Sequence, residues 1–317
     1  MGHSKVQHLI NILTNGVGEK TKINLWRFRV NKMNSYQQIT DQIISNLEKA
    51  TSWSSMINSQ LPINITGRPY SGINILLLYN SKYKSRIWGT FRQIIKHGGN
   101  IRKNEKSSIV AFWSQYKPKQ IDMDKPSDIK EQWFLKVYRV FNTEQCDFIE
   151  NNEYLESLEQ KLNICPPLVS PDKVISDYLA REDIMYQTSE KPSIPYYSPT
   201  RDLVSISARK HYKNNDEFYL TLFHELTHST GHPKRLNRFD LSANKFGQQQ
   251  YSLEELVAEL GANFLASETG LKHDQLNSAA YIKGWIPNLK EHPRWIVSAA
   301  SKAERASKFI LNREGIS

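Results

Sequence analysis

The sequence predicts an α+β protein composed of two domains, and three observations support this prediction. Residues 1–140 hold 22 lysines and arginines against 8 acidic residues, so the excess positive charge of the chain lies there. An acidic stretch, 141–165, follows and leads into Pro166-Pro167. The remaining residues are nearly neutral and contain a histidine–glutamate motif. We therefore expect an N-terminal extension at 1–35, a first domain at 36–145, an acidic connector at 146–168 and a second domain at 169–317.

The composition is that of a soluble globular protein, with 39% hydrophobic residues and a mean hydropathy of −0.58. No stretch approaches the roughly 18 apolar residues that a membrane-spanning helix needs, so no membrane partner is expected. Cys146 and Cys165 are the only cysteines, too few for a disulfide framework. A reducing cytoplasm is therefore the expected location.

Helices and strands alternate in the first domain. Apolar residues recur at helical spacing after Tyr36, at Ile39, Ile43, Ile44 and Leu47. A turn-rich stretch at 62–74 precedes an apolar helical run at 75–79, and a further helix is predicted to end at Lys96. β-Branched and aromatic residues at 108–113 and 134–141 predict two strands.

The second domain has clear start and stop signals around its histidine motif. A helix is predicted at 170–179, and a short strand from Leu203 to Ile206 is expected to align an extended peptide by edge pairing. The helix that carries the motif is predicted to start near Asp216 and to be capped by Gly231, with Pro233 beyond it.

The chemistry of this domain is carried by His224-Glu225-Leu226-Thr227-His228. Side chains four positions apart share one face of a helix, so His224 and His228 can bind one Zn²⁺ through a ring nitrogen each. Zinc lowers the pKa of a bound water towards neutrality, and Glu225 would act as the general base that takes its proton. Tyr251 and Tyr281 are the candidates for stabilising the oxyanion. This chemistry is peptide-bond hydrolysis.

Two histidines leave zinc short of ligands, and a third ligand is expected downstream. Lys234 occupies the position where an HExxHxxGxxH pattern would place a third histidine, so that pattern is excluded. Glu255 and Glu259, four positions apart on a later helix, are predicted to supply the third ligand and a carboxylate that bonds a zinc-bound histidine. Two alternatives stay open: Glu255 forms a capping box with Ser252, or Glu254 is the ligand.

Cations and aromatic rings are interleaved in the basic first domain, the combination that binds phosphates and stacks on bases. Single-stranded DNA is therefore the predicted partner, and the candidate contacts are Arg68, Tyr70, Arg92, Lys103 and Lys106. A hydrophobic core with a solvated basic face would explain the same residues, and charge by itself does not distinguish the two interpretations.

Several motifs, in order along the chain, carry a resemblance to one family. In the first half they are Thr66-Gly67-x-x-Tyr70-x-Gly72-Ile73-Asn74, Trp88-x-Thr90 with Gln93, and Phe112-Trp113. In the second half they are the histidine motif, Arg235-Leu236 with Arg238, and Glu254-Glu255-Leu256-Val257-Ala258-Glu259. The sequence resembles the ArdC-type antirestriction proteins of plasmids and phages, whose N-terminal region is shared with TraC-type conjugative primases.

The resemblance implies a small α+β single-stranded-DNA-binding domain followed by a zincin-like metalloprotease domain of the gluzincin type. It implies zinc as the cofactor and protection of a mobile element's incoming DNA from restriction in a bacterial host. The protein substrate is unknown. The sequence departs from the family pattern at Trp53, which stands where a doubled Pro-Trp element is usual, and at Asn104, which replaces a glycine. Both departures concern DNA contact and leave the zinc motif intact.

Two other functions remain open from the sequence. The chain could be a DNA-coating protein whose zinc site is structural or inactive. It could also be a cytosolic zinc peptidase whose basic domain binds a different partner. Replacement of Glu225 separates proteolysis from coating, and charge reversal at Lys103 and Lys106 tests DNA binding.

Overall fold

The computed structural model describes eight stretches of the chain: 35–48, 61–78, 83–115, 133–149, 152–163, 169–239, 248–271 and 284–313. The expected N-terminal extension lies outside these stretches apart from Ser35. Trp53, Tyr281, Pro166-Pro167 and the side chain of Tyr251 lie outside them as well. Within the described stretches, none of the helices is long and apolar enough to cross a membrane.

The first domain combines helices and strands, as predicted, and its larger sheet is mixed. Its helices are α1 (35–48), α2 (Ile73–Leu78), α3 (Phe91–Lys96) and α4 (Glu153–Asn163). Its strands are β1 (Ile63–Asn64), β2 (Ile87–Gly89), β3 (Gly99–Ile101), β4 (Ser108–Gln115), β5 (Trp133–Asn142) and β6 (Cys146–Phe148). The sheet has the order β1-β2-β5-β4, in which only β1 and β2 run parallel. The predicted strands at 108–113 and 134–141 correspond to β4 and β5.

Most of the described part of the expected connector, 146–168, packs against the first domain and does not form a separate linker. Strand β6 pairs with β3, with Gly99 opposite Phe148. Helix α4 buries Leu158 in a cluster with Ile65, Ile87 and Ile94 of the first domain. The glutamates of this helix lie on its exposed face. The acidic composition therefore marks the solvent-facing side of a packed helix.

The second domain places a small sheet beside a bundle of helices. Its helices are α5 (Pro171–Glu182), α6 (Asn215–Ser229), α7 (Gln248–Thr269), α8 (Ile286–Glu291) and α9 (Trp295–Ile310). Its strands are β7 (Met185–Ser189), β8 (Tyr196–Ser198) and β9 (Leu203–Ser207). A buried cluster joins the sheet to the helices through Val204, Ile206, Phe223, Leu226 and Leu265.

The prediction that the strand from Leu203 to Ile206 offers an edge for a peptide is wrong. Strand β9 is the central strand of the order β7-β9-β8, parallel to β7 and antiparallel to β8. Its residues are all buried, and its two edges are occupied by neighbouring strands. The terminal strand on the side of the histidine motif is β8.

The boundaries of α6 differ slightly from the predicted signals. Its N-cap is Asn214, whose side chain accepts a hydrogen bond of 2.8 Å from the Glu217 N–H. The helix ends at Ser229, and its C-cap Thr230 keeps right-handed backbone geometry. The predicted cap Gly231 is needed for another reason, since a Cβ there would lie 2.7 Å from the Phe239 ring. Close packing explains this glycine.

One buried cluster is shared by the two domains. It contains Leu76, Leu77 and Ala111 from the first domain and Leu256 and Leu260 from α7. Helix α1 lies in the same cluster, through the apolar residues that its periodicity predicted. The first domain and the helix that carries Glu255 are therefore packed around one core.

Asn74 fixes α2 against the sheet. Its carboxamide donates to the Ala111 carbonyl at 2.9 Å and accepts from the Ala111 N–H at 2.7 Å. The side chain thus pairs with an edge strand much as a neighbouring strand would, in the middle of β4. Gly72, at a φ of 56°, lies directly against the Glu304 side chain of α9.

Candidate metal centre and binding groove

The two histidines of the motif project from the same face of α6. Phe223 and Leu226 are completely buried on the core side of this helix, which turns His224 and His228 towards a cavity. Their Nε2 atoms are 3.1 Å apart. The sequence spacing therefore brings two nitrogen donors to one point.

Glu255 completes a cluster with the two histidines. Its carboxylate oxygens lie 3.5 Å from His224 Nε2 and 3.4 Å from His228 Nε2. One donor atom from each of the three residues falls within a 4.8 Å group. Helix α7 begins at Gln248, so Ser252 lies inside the helix and the capping-box alternative for Glu255 is wrong. Two imidazoles and one carboxylate are a donor set suited to zinc.

Two further glutamates contact the outer ring nitrogens. Glu259 lies 3.6 Å from His224 Nδ1, the position expected for a carboxylate that orients a metal ligand. Glu254, the alternative ligand, lies 3.5 Å from His228 Nδ1, on the far side of the ring. From the sequence, Glu254 is only an alternative zinc ligand, and its contact with His228 Nδ1 is not predicted. Its guanidinium partner Arg238, singled out only through the family motif, was the available signal.

The cluster is electrostatically suited to a cation. Burial alone lowers the pKa of His224, but hydrogen bonds with Glu255 and Glu259 outweigh it and raise that pKa to about 10. Burial raises the pKa of Glu225, against the opposing effect of the two imidazoles. The carboxylates therefore stabilise positive charge between them, whether it is a proton or a metal ion.

The cavity beside the cluster has an aromatic and proline-rich wall. It has a volume of about 350 Å³ and is lined by Pro195, Tyr196, Tyr197, Pro199 and Phe239 together with the metal-centre residues. The rings of Tyr197 and Phe239 stack with centroids 6.3 Å apart. Glu225, only 7% exposed, receives a hydrogen bond from the Tyr197 backbone. Strand β8 thus forms one side of the site.

A second concave surface lies on the first domain, with a volume of about 750 Å³. Of the predicted DNA contacts, Arg68 and Tyr70 line it. Tyr70 is almost fully buried, and its hydroxyl accepts a hydrogen bond of 2.8 Å from Asn64. Arg92, Lys103 and Lys106 are exposed but do not line this groove.

The structure adds aromatic residues to the groove that sequence reasoning did not select. Phe112 and Trp113 line it and are 45% and 48% exposed, and Tyr138 lies opposite Val110 in the β4–β5 pair. Phe112 and Trp113 were singled out as part of the family motif, and that motif was the available signal. Arg68 is the one charged residue among those described as lining the groove, so its lining carries positive charge and no described carboxylate.

Several polar residues of the first domain form hydrogen bonds that hold its loops and helices in place. Thr90 and Gln93 form a capping box for α3, and Gln93 bonds Asn64 at 3.2 Å. Gln145 bonds Glu105 and the Lys106 carbonyl, each at 2.9 Å. These residues hold the walls of the groove and the loop that carries Lys103.

Comparisons with known proteins match both domains separately. Residues 33–141 match the model of the N-terminal domain of anti-restriction factor ArdC. Residues 177–302 match the model of a zincin-like metallopeptidase named MPTase-PolyVal. Among curated proteins, DNA primase TraC of Escherichia coli is 30% identical over 298 residues, covering 87% of this chain and 27% of the primase. The chain thus spans about a quarter of that relative's length.

Two further relatives are matched over nearly their whole length. The uncharacterized protein y4eC of Sinorhizobium fredii is 28% identical, covering 87% of this chain and 91% of y4eC. The crystal structure of metal-free antirestriction protein ArdC from plasmid R388 is 31% identical with a TM-score of 0.67, covering 88% of this chain and 97% of that one. Its Mn(II)-bound form matches with 30% identity and the same TM-score, over 88% and 98%.

The fold and the site define a two-domain protein in which an ArdC-type N-terminal domain precedes a zincin-like metallopeptidase domain. The zincin-like domain implies a zinc ion, and the His224–His228–Glu255 cluster has the donors to hold one. The chain belongs to the ArdC antirestriction family.

Proposed function

We propose that this protein protects the incoming DNA of a plasmid or phage from host restriction, by binding single-stranded DNA and by zinc-dependent peptide hydrolysis. The observation that supports hydrolysis best is the convergence of His224, His228 and Glu255 beside the buried carboxylate of Glu225. The Mn(II)-bound form of R388 ArdC, a similar protein, supports the binding of a divalent metal ion by this chain.

The metal centre divides its tasks among the residues of two helices. His224, His228 and Glu255 would hold the zinc ion, which supplies Lewis-acid polarisation of the scissile carbonyl when bound. Glu225 is the general base: it takes a proton from the attacking water and returns it to the leaving amine. Glu259 orients the His224 ring through its outer nitrogen.

The peptide substrate lies along β8. This strand is the last in its sheet and lines the cavity, so an extended chain can lie along its outer edge, where the Tyr197 N–H is already bonded to Glu225. The Tyr197 hydroxyl donates its hydrogen to Asp202 at 2.7 Å, so it is not available to donate a hydrogen bond to the substrate. The aromatic wall favours an apolar side chain next to the scissile bond.

The first domain binds single-stranded DNA in its groove. Exposed rings at Phe112 and Trp113 provide stacking surfaces, and Arg68 provides a phosphate contact. Tyr70 supports the floor of the groove from below. Arg92, Lys103 and Lys106 add exposed positive charge to the same domain and extend the DNA contact beyond the groove.

Replacing Glu225 with Gln tests the hydrolytic function. The zinc content should be unchanged, because Glu225 is not among the donors, while hydrolysis of an unfolded fluorescent protein substrate should fall about 10²- to 10⁴-fold. The exposed Glu156, changed to Gln, is the matched control and should behave as the wild type. Conjugative transfer into a restricting host then measures protection, which Glu225→Gln should abolish. Full protection by this variant would favour a DNA-coating protein without a proteolytic role.

Salt-dependent binding tests the groove. Affinity for an oligothymidine should fall steeply with salt, and Arg68→Ser should reduce the slope of log K against log salt by about 0.7. Phe112→Ala should weaken binding by about 1–3 kcal/mol through lost stacking. Lys191→Ser, on the second domain, and Phe91→Ala, exposed outside the groove, are the controls. Equal losses in variants and controls would remove the groove from the proposal.

A further inference from the structure

Arg238 is a buried guanidinium next to the metal centre. Its side chain is 8% exposed and grips Glu254 with two nitrogens, Nε to Oε2 at 3.0 Å and Nη2 to Oε1 at 2.7 Å. A fork of this kind fixes a carboxylate in both position and plane. Glu254 is therefore held in one orientation.

The same guanidinium also holds the end of the motif helix. It donates from Nη1 to Thr230 Oγ1 at 2.7 Å and from Nη2 to the Thr227 carbonyl at 2.9 Å. Thr227 lies one residue before His228, and Glu254 lies one residue before Glu255. Arg238 thus links the two helices beside the atoms that would bind the metal.

Glu254 faces the outer nitrogen of His228. Its Oε1 lies 3.5 Å from Nδ1, while Nε2 of the same ring points to Glu255. A neutral imidazole carries one N–H, and a carboxylate at Nδ1 accepts that hydrogen. The lone pair then stays on Nε2, where a metal ion needs it.

We propose that Arg238 is a positioning residue for the metal centre, acting through Glu254 to select the Nδ1–H tautomer and the orientation of His228. This inference rests on the proposed zinc site. The other half of the site differs: among the described residues, Glu259 has no guanidinium partner.

The test is zinc affinity, measured by competition with a chromophoric chelator, for Arg238→Lys, Glu254→Gln and the double variant. Lysine keeps the charge but cannot form the two-nitrogen fork. Each single variant should bind zinc about 10- to 100-fold more weakly. The double variant should be little weaker than either single one, because both changes remove one linkage.

Arg235→Lys is the matched control. Arg235 is also a buried arginine after the motif helix, and it bonds the Ser229 carbonyl at 2.7 Å, but its carboxylate partner is Asp202. This variant should lose thermal stability and keep its zinc affinity. Nitrogen-detected NMR of the His228 ring supplies a second readout, and Glu254→Gln should reduce the Nδ1–H population.

Wild-type zinc affinity in Arg238→Lys and Glu254→Gln would overturn the inference while leaving the zinc site intact. An equal loss in Arg235→Lys would overturn it as well, since general destabilisation would then explain the effect. If the wild-type protein itself fails to bind zinc, the proposed hydrolytic function falls, and the positioning role falls with it.

Discussion

Glu254 and Glu255 are consecutive residues whose carboxylates contact different nitrogens of one histidine. Glu254 lies against His228 Nδ1 and Glu255 against Nε2. Successive side chains of a helix point about 100° apart, so the two carboxylates reach around the ring from α7. The sequence could place both glutamates near zinc, but the choice between them depends on how α6 lies against α7. That geometry is not encoded in either motif alone.

The buried Arg235 makes the contribution of Asp202 to stability depend on pH. Burial raises the pKa of Asp202, but hydrogen bonds from Arg235 and Tyr197 outweigh it and hold the net pKa below the ordinary value of 3.8. A lowered folded-state pKa contributes stability above the ordinary value and loses it as the pH falls through the folded value. Asp202 therefore stabilises the protein at neutral pH and ceases to do so in acid below pH 3.8.

We predict that Asp202→Asn flattens the pH dependence of stability in this acid range. The free energy of unfolding, from urea titrations between neutral pH and pH 3, should fall more steeply in the wild type than in the variant. At neutral pH the variant should be the less stable protein. Parallel curves would show that the Arg235–Asp202 pair does not have this role.

At the scale of elements, local signals were sufficient for some parts of the fold and insufficient for others. The periodicity after Tyr36 and the alternation at 108–113 concern contacts within a single element, and both predicted the observed helix and strand. The order of strands around β9 depends on how it pairs with two other segments, β7 and β8, and the pattern within β9 carries no information about that pairing, so the peptide edge was assigned to the wrong strand. The acidic composition of α4 suggested a connector for a related reason: the charged residues lie on the exposed face of the helix and give no information about its buried face.

The crossing of the two ligand-bearing helices depends on one glycine. A Cβ at Gly261 of α7 would lie 2.5 Å from Thr227 Cγ2 and 2.8 Å from its Oγ1. Thr227 is completely buried and donates to the Phe223 carbonyl at 2.7 Å, so it has little freedom to move. Helix α7 can therefore approach α6 closely only with glycine at this position.

We predict that Gly261→Ala destabilises the protein by about 1–3 kcal/mol, although alanine is the better helix former. The helices must separate, so zinc affinity should fall as well. Thermal unfolding and zinc titration measure the two effects. Thr227→Ala removes the obstructing atoms, and the double variant should recover zinc affinity relative to Gly261→Ala. Without that recovery, the overlap with Thr227 is not the cause.

At the scale of the whole molecule, the shared core joins the two proposed activities. Leu76, Ala111 and Leu135 of the first domain are buried in one cluster with Leu256 and Leu260 of α7. Residues next to Ala111 and Leu256 belong to the groove of the first domain and to the candidate metal centre, respectively. The sequence showed two domains through their charge, but charge lies on the surface and carries no information about a common interior.

We predict that the protein unfolds in a single calorimetric transition and that zinc raises the midpoint temperature of this transition. A ligand that binds only the folded state stabilises by about 4 kcal/mol at a thousandfold excess over its dissociation constant. Because the core is shared, zinc should also slow amide exchange in β5 of the first domain. Glu255→Gln is the control and should lose both effects. Two transitions, with only one responding to zinc, would show that the domains unfold independently.

The carboxamide of Asn74 has a further consequence for how molecules of this protein meet one another. Strand β4 ends its sheet among the described residues, and an unprotected edge offers free N–H and C=O groups to any other extended chain. Asn74 occupies both groups of Ala111, so a second copy cannot continue the sheet through the middle of this strand. A side chain that anchors a helix thereby also protects the protein from self-association beside its groove.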